Sequence, residues 1–412
     1  MPTNQFLNVS WISPEVLRLL VNFLTIAEYF NMDYDKDFKK NFAVGETIQV
    51  KFPQRFIPTD GMGYAPQGIN RIATTVSLDQ WIQIAFEVDD LEAALKMERS
   101  KEEIREQYLE PLAAAFAQEI DTRAAKFAYQ NTNNVVGTLG TDPTGVATYY
   151  NARRRLKELA CPPGRRAMCI SSSMMSTFGQ NITTFFQPPD ELSAMFKEGA
   201  LGRAAGFDWY ESNSLFSHTA GTWAGAVTVN GSGQSGSSII ITATAGDTFK
   251  VGDKITFAAV NQVNPMTRRI PGPAALKQFT ITQDLTAAGG GVDTINILPA
   301  IFGPGSQYQN VDALPLTGAA LTLWPGTGSP NGKVGTVGLA LSKFGFALVG
   351  GKLFMPKSTE IAEGKSDPKT GLSWRFVKAW DPVRSMQIQR ADMLIGFGNL
   401  FQDNGSCAVA GA

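Results

Sequence analysis

Few residues in this sequence could do chemistry, and their spacing argues against most of it. His218 is the single histidine in 412 residues. Metal sites built on two or three histidines are therefore excluded. A Ser-His-Asp triad would have to use His218, which lies between Ser217 and Thr219. No Gly-x-Ser-x-Gly elbow is present to expose a nucleophile, so His218 reads as an ordinary surface-loop histidine. Gly231, Gly233 and Gly236 spell Gly-x-Gly-x-x-Gly. A dinucleotide fingerprint must open a helix whose N-terminus meets the pyrophosphate. Here the β-branched run SSIIITAT follows, and a glycine hairpin turn is expected. Gly364-Lys365-Ser366 looks like the end of a phosphate loop, but the required earlier glycine is Thr359. Asp33, Asp35 and Asp37 imitate a calcium loop, with Phe38 and Val44 where glycine and glutamate belong. No catalytic residue, cofactor or metal is expected.

One basic cluster remains: Arg153, Arg154, Arg155, Arg165 and Arg166. It reads either as a solvated helix face or as a contact for an anionic partner, nucleic acid or an acidic neighbouring subunit. The whole chain has a net charge of −1, which argues against a generally basic nucleic-acid binder. Apolar residues make up 43% and charged residues 18%, so a large core is affordable and disorder is excluded. Three cysteines, Cys161, Cys169 and Cys407, are too few and scattered for a disulfide framework and fit a reducing compartment. The start, MPTNQFLNVSW, lacks the basic region of a signal peptide. The apolar run 14–30 is interrupted by Glu15, Arg18 and Glu28, so no membrane span is expected.

The elements that must carry these residues change along the chain. Ser13 and Pro14 read as N-cap and first residue of an amphipathic helix, with Val16, Leu19, Leu20, Phe23 and Ala27 on one face. Residues 42–86 alternate in period two around a Gly/Pro-rich tip, IPTDGMGYAPQGINR. This predicts a protruding hairpin whose tip, with Asp60, Tyr64 and Arg71, packs on little of its own chain and reaches a neighbour. Over 87–131 a glutamate-rich helix follows. Ser100 and Glu103 form its capping box, and Ile104, Tyr108, Leu112, Phe116, Ile120 and Phe127 its stripe. Pro111 is expected to kink it. About 30 helical residues span about 45 Å, which suits a structural spine.

Residues 147–215 read as α/β, with a helix over 147–159, a buried strand at 167–170 and a second helix capped by Asp190. Residues 220–331 are foreign to both flanks, with 16 glycines and no glutamate. Short β runs at 226–229, 239–242, 254–257, 279–282 and 294–297 predict a small sandwich or barrel inserted into the α/β region. Mixed structure returns after 334, with two strands meeting at Asp381-Pro382.

The order of arm, hairpin, long helix and α/β region resembles the tailed-bacteriophage major capsid proteins. The segment 201–212, LGRAAGFDWYES, is similar to a helix-to-strand junction of that fold. VGDKITFAAVNQVNPMTRR (251–269), QFTIT (278–282) and YQNV (308–311) resemble the inserted β-barrel of one branch of coat proteins. GLALSKFGFALVGGKLFMP (338–356) resembles the return into the apical domain. The resemblance implies an α+β, HK-ninety-seven-type fold. Its parts would be an N-terminal arm (1–41), an extended hairpin loop (42–86) and a peripheral domain with the spine helix (87–146). An apical domain in two parts (147–216 and 332–371), an inserted all-β barrel (217–331) and peripheral-domain strands (372–412) would complete it. In the insert loop Arg268 and Arg269 are the candidate contacts. The resemblance further implies a homo-oligomer of hexamers and pentamers forming an icosahedral virion shell, assembled in the host bacterial cytoplasm. Its partners would be a scaffolding protein, a portal, decoration proteins and double-stranded DNA held without sequence specificity. The alternatives are a cellular nanocompartment shell, a phage adhesin and a single-histidine hydrolase.

Overall fold

The computed structural model describes residues 9–32, 47–51, 55–57, 63, 66–68, 73–89, 105–182, 202–288, 292–324, 331–356, 361–367, 370–381, 383, 386–403 and 405–412. Among the described residues four α-helices run α1 (Val9–Phe23), α2 (Glu110–Asn131), α3 (Val146–Glu158) and α4 (Ser172–Ile182). The strands begin β1 (Thr47–Lys51), β2 (Ala73–Ser77), β3 (Gln80–Asp89), β4 (Asn134–Val136), β5 (Arg166–Ile170), β6 (Arg203–Ala204), β7 (Phe207–Glu211) and β8 (Ser217–Thr219). They continue β9 (Thr228–Val229), β10 (Gly236–Thr242), β11 (Thr248–Phe249), β12 (Lys254–Asn261), β13 (Leu276–Ile281), β14 (Leu285–Thr286), β15 (Asp293–Ile301) and β16 (Leu321–Leu323). The last six are β17 (Val334–Ser342), β18 (Phe346–Gly351), β19 (Ile361–Ser366), β20 (Ser373–Asp381), β21 (Met386–Asn399) and β22 (Ser406–Ala410). The chain divides into two compact units, one of residues 1–50, 73–124 and 347–398, the other of 51–72, 125–346 and 399–412.

In the first unit β18, β21, β20 and β19 form a sheet, and β3 pairs with β21 over ten residues. Period-two alternation makes the sheet one-sided. Trp374, Phe376, Ala391, Met393 and Ile82 are buried on one face, while Trp81 on the other is 46% exposed. Helix α1 packs on β19 and β20. It begins at Val9, earlier than the Ser13 cap expected, and Pro14 sits in its second turn. There the ring removes only one intrahelical bond. Val16, Leu19, Leu20 and Ala27 are buried as the spacing requires; Phe23, at the last turn, is 41% exposed. Asp121 of α2 is 2% exposed. Its carboxylate accepts from the amides of Thr25, Ile26 and Ala27 and the Thr25 hydroxyl, at 2.7–3.2 Å. Those donors are the otherwise orphaned amides that open the 3₁₀ turn Ala27–Tyr29. Burial pushes the Asp121 carboxyl up, and the four donors pull it the other way.

A π turn over Arg105–Leu109 leads directly into α2, with Pro111 in its first turn. The wider turn shifts the phase of the stripe. Tyr108 is therefore 40% exposed although Leu112, Phe116 and Ile120 are buried. Ser100, Glu103, Ile104 and Asp190, like Asp33, Asp35 and Asp37, lie outside the described residues.

In the second unit a seven-stranded sheet carries the order β4-β22-β17-β5-β7-β6, with β8 pairing β17. Helix α3 packs on β4 and β22. Tyr149, Phe178 and Trp209, from α3, α4 and β7, lock into one aromatic core with ring centroids 4.8–4.9 Å apart. The foreign segment leaves after β8 and returns in β17, and these two strands pair with each other, Val334 opposite Thr219. Between them lies a second sheet, β16-β12-β13-β15-β10-β9. A bridge between Thr228 and Ala320 joins its two end strands. All five β runs expected from sequence lie on these strands or overlap them. Gly231, Gly233 and Gly236 all have positive φ, as a hairpin turn before β10 demands. Gly364 of the phosphate-loop look-alike sits mid-strand opposite Arg375.

Candidate functional site

The residues that hold the second sheet to the rest of its unit are buried and polar. Lys254, the first residue of β12, is fully buried. Its ammonium donates to the carbonyl of Tyr129 (2.9 Å), to the carbonyl of Thr132 and to the Thr280 hydroxyl (3.0 Å). It also lies 4.3 Å from the centre of the Tyr129 ring. Tyr129 and Thr132 stand at the C-terminal end of α2. Helix ends leave carbonyls unpaired and carry partial negative charge, so a buried cation there acts as a C-cap. Three N–H groups meet three acceptors. Burial pulls the Lys254 amine well below the ordinary lysine value, and the Asp253 charge opposes that shift.

His218 is beside it, and the surface-loop reading is corrected: the residue is 2% exposed, in the middle of β8. Its Nε2 is 2.8 Å from Asp253 Oδ1. Asp253 also accepts from the amides of Gly221 and Lys250. The imidazole is flanked by Tyr129 at 5.0 Å and Trp324 at 6.0 Å between ring centroids. This His–Asp pair, with both side chains out of solvent and aromatic rings around it, ties β8 to the start of β12. Gly252 completes the arrangement. Its carbonyl accepts from the Tyr129 hydroxyl at 2.8 Å, its φ is +97°, and a Cβ there would fall 2.7 Å from the Tyr129 ring.

Further anchors follow the same logic. The Gln278 side chain accepts from the amide of Val135 and donates to its carbonyl, filling both backbone bonds of one residue of β4. Lys277, 1% exposed, pairs with Asp403 at 2.7 Å. From α3, Arg155 donates to Gln262 Oε1 at 3.2 Å, Gln262 donates to Glu158, and Asn264 donates to the Glu158 carbonyl. Burial lowers the Arg155 guanidinium. Cys407 on β22 is buried, its thiol pushed up to about 12, which keeps it unreactive.

The five-arginine cluster is therefore divided. Arg155 faces the second sheet, and Arg154 pairs with Glu158 along the helix at 3.1 Å. Arg153 lies over Gly206, Arg165 pairs with Asp208 at 3.0 Å, and the Nε of Arg166 is buried without a hydrogen-bond partner. Arg203, which the sequence did not single out, joins them 3.6 Å from Asp208. Asp60, Tyr64 and Arg71 of the hairpin tip lie outside the described residues. The shoulders of that loop do find a partner in their own chain. Gln307 donates to the carbonyls of Arg55 (2.6 Å) and Gly68 (3.4 Å), and the Arg55 guanidinium lies 5.6 Å above the Tyr308 ring. Arg268 donates to the Gln307 carbonyl at 2.9 Å, and Arg269 is exposed. Among the described residues no group of three or more His, Cys, Asp or Glu is placed to hold a metal. No described helix is long and apolar enough to cross a membrane.

A protein-family model described as P22 coat protein, gene protein 5, matches residues 39–397. No curated protein matches the chain by sequence. Among solved structures, one of Mycobacterium phage Che8 aligns over 94% of this chain and 92% of its own, at 12% identity and a TM-score of 0.49. The acid-stable capsid of Helicobacter pylori bacteriophage KHP30 aligns over 89% and 84%, at 10% identity and 0.43. The capsid of cyanophage P-SCSP1u aligns over 89% and 84%, at 12% identity and 0.41.

Proposed function

Since the chain belongs to the P22 coat protein family and is a major capsid protein of a tailed phage, we propose that its copies close as hexamers and pentamers into an icosahedral shell around double-stranded DNA. The family match over residues 39–397 carries this reading. Its role is structural, and the shell places it in the virion. Assembly takes place in the host cytoplasm around a scaffolding protein and a portal, with decoration proteins as later ligands. DNA is enclosed without sequence recognition.

The fold is read as the HK-ninety-seven type with an inserted β-barrel over 217–331. Two observations support the insert. Its entry and exit strands, β8 and β17, are hydrogen-bonded neighbours, and the Thr228–Ala320 bridge brings the end strands of its sheet together. The buried anchors explain what such an insert does for the subunit: it caps and covers the end of the spine helix. A shell subunit must hold its shape while several interfaces of about 1,600 Å² form around it.

The shell reading is tested by electron microscopy of the purified protein, with and without a co-expressed scaffold. Closed shells of uniform size are expected; small soluble species in both conditions would sink it. The hairpin loop overlaps an adjacent subunit in this reading. Deleting residues 58–70 is expected to abolish shells while leaving a folded monomer, judged by circular dichroism and sedimentation. Normal shells from the deletion would remove the loop from the interface.

A further inference from the structure

The loop between β1 and β2 is gripped at its neck by residues of the same chain that flank the second sheet's strands. Gln67 closes the neck. Its side-chain oxygen accepts from the amide of Ile57 at 2.8 Å, and its Nε2 donates to the Ile57 carbonyl. The two arms are thereby tied together. Gln307, in the loop after β15, then holds both. Its Nε2 donates to the carbonyls of Arg55 (2.6 Å) and Gly68 (3.4 Å), one on each arm. Tyr308, 9% exposed, offers its ring to the Arg55 guanidinium at 5.6 Å. Arg268, in the turn after β12, donates to the Gln307 carbonyl at 2.9 Å and fixes that residue from behind.

The grip is itself braced. Arg268 has φ +55°, a conformation that a non-glycine residue keeps only where its surroundings impose it. Asn264 imposes it here. Its side-chain oxygen accepts from the amides of Met266 and Thr267, and its carbonyl accepts from the amide of Arg268. Its side-chain amide donates to the carbonyl of Glu158, the last residue of α3, at 2.7 Å. The loop over 302–311 is held in the same way. The Asn310 side chain accepts from the amide of Phe302 and donates to the Ala300 carbonyl. Val311 bridges to Gln262, whose side chain is bonded to Arg155 and Glu158. Both braces end on α3.

We propose that Arg268, Gln307 and Tyr308 form a clamp that fixes the neck of the β1–β2 loop in the free subunit, so that the loop is already oriented when it meets the next copy. Gln307 binds backbone carbonyls, so it fixes the neck whatever side chains the loop carries. A loop ordered beforehand costs less entropy to dock. Segments with few buried contacts are the first to open locally, so a few side-chain contacts decide how this neck is populated. The clamp rests on the shell reading, which supplies the neighbour that the loop meets.

The experiment separates the two. Hydrogen exchange over residues 55–68 is followed by mass spectrometry in the unassembled protein. Gln307→Met, Arg55→Met and Tyr308→Leu are compared with wild type, after circular dichroism and thermal unfolding establish that each is folded. Arg55 is half-buried on the loop itself, so its variant tests the clamp without touching the loop that bears Tyr308. Gln307→Met is expected to exchange about tenfold faster, and the other two about threefold faster. The double variant Arg55→Met/Tyr308→Leu is expected to go no further than the faster single variant, because both remove one contact. Scaffold-assisted assembly of Gln307→Met is expected to be at least about threefold slower than that of wild type, since a smaller fraction of subunits holds the loop in place. Wild-type exchange in Gln307→Met, or additive effects in the double variant, would overturn the clamp. Slower assembly with unchanged exchange would place the contact between copies and overturn it equally. Faster exchange with a wild-type assembly rate would overturn its role in orienting the loop. If wild type forms no shells with its scaffold, the shell reading and that role fall together, and exchange in the free subunit still decides the contact itself.

Discussion

Replacing Lys254 with methionine is expected to lower the stability of the subunit by about 2–4 kcal/mol, read from urea unfolding of the purified protein. Methionine is close in volume, so the loss is mainly electrostatic. The variant removes three charge-assisted hydrogen bonds, two of them to carbonyls at the end of α2. It also leaves the Tyr129 ring without its cation. The pH dependence carries a second signature. The native amine lies well below the ordinary lysine value of 10.5 because burial disfavours its charge. Between the two values the unfolded chain binds a proton that the native state releases. Raising the pH through that window therefore stabilises the fold. Wild type is expected to gain stability relative to Lys254→Met as the pH rises toward the ordinary lysine value of 10.5. A variant as stable as wild type would show that Lys254 does not cap the helix, and a difference that stays flat with pH would show that its amine is not lowered by burial.

Asp121→Ala is expected to cost about 3–5 kcal/mol, concentrated in the chain that follows α1. The carboxylate accepts four hydrogen bonds, and the amides of Ile26 and Ala27 that it serves are fully buried. Asp121→Asn keeps one acceptor oxygen but turns an amide donor toward other donors, so it is expected to recover only part of the loss. Hydrogen exchange at Thr25, Ile26 and Ala27 reads the effect directly, with protection falling in both variants. Unchanged protection at those amides would refute the account. The Glu15–Arg18 pair on α1 is a useful contrast. It is local and Arg18 is exposed, so its removal is expected to leave the urea unfolding curve unchanged.

Much of the architecture could be read from the sequence because it is written in local periodicity. The stripe Val16, Leu19, Leu20 gives a helix face, and the runs at 239–242, 254–257, 279–282 and 294–297 alternate or cluster as strands must. The switch to a glycine-rich, glutamate-free segment marks the second sheet's stretch of chain without reference to any contact. Strands with weaker patterns were missed. Helix α4 and strands β19 and β22 carry small or polar residues whose structure depends on their neighbours. A proline after a serine reads as a helix opening at Ser13, yet α1 begins at Val9.

Polar residues are where the sequence was least informative. Lys254 lies in KITF, and nothing local distinguishes it from a solvent-facing strand lysine; its two carbonyl acceptors are 122 and 125 residues away. Asp121 looks like one more charge on a charged helix, and its partners are 94–96 residues distant. His218 has polar neighbours on both sides and was read as exposed for that reason. Arg153, Arg154 and Arg155 are consecutive, so they point in three directions around α3 and enter three environments. Composition and period by themselves determined that this is an α+β chain with a β-rich stretch over 220–331, since those properties follow from residue type and local spacing. Only the tertiary structure decided which charges are buried and which acid or carbonyl satisfies each. A buried charge is set by the desolvation and pairing supplied by distant segments, and no local pattern encodes that.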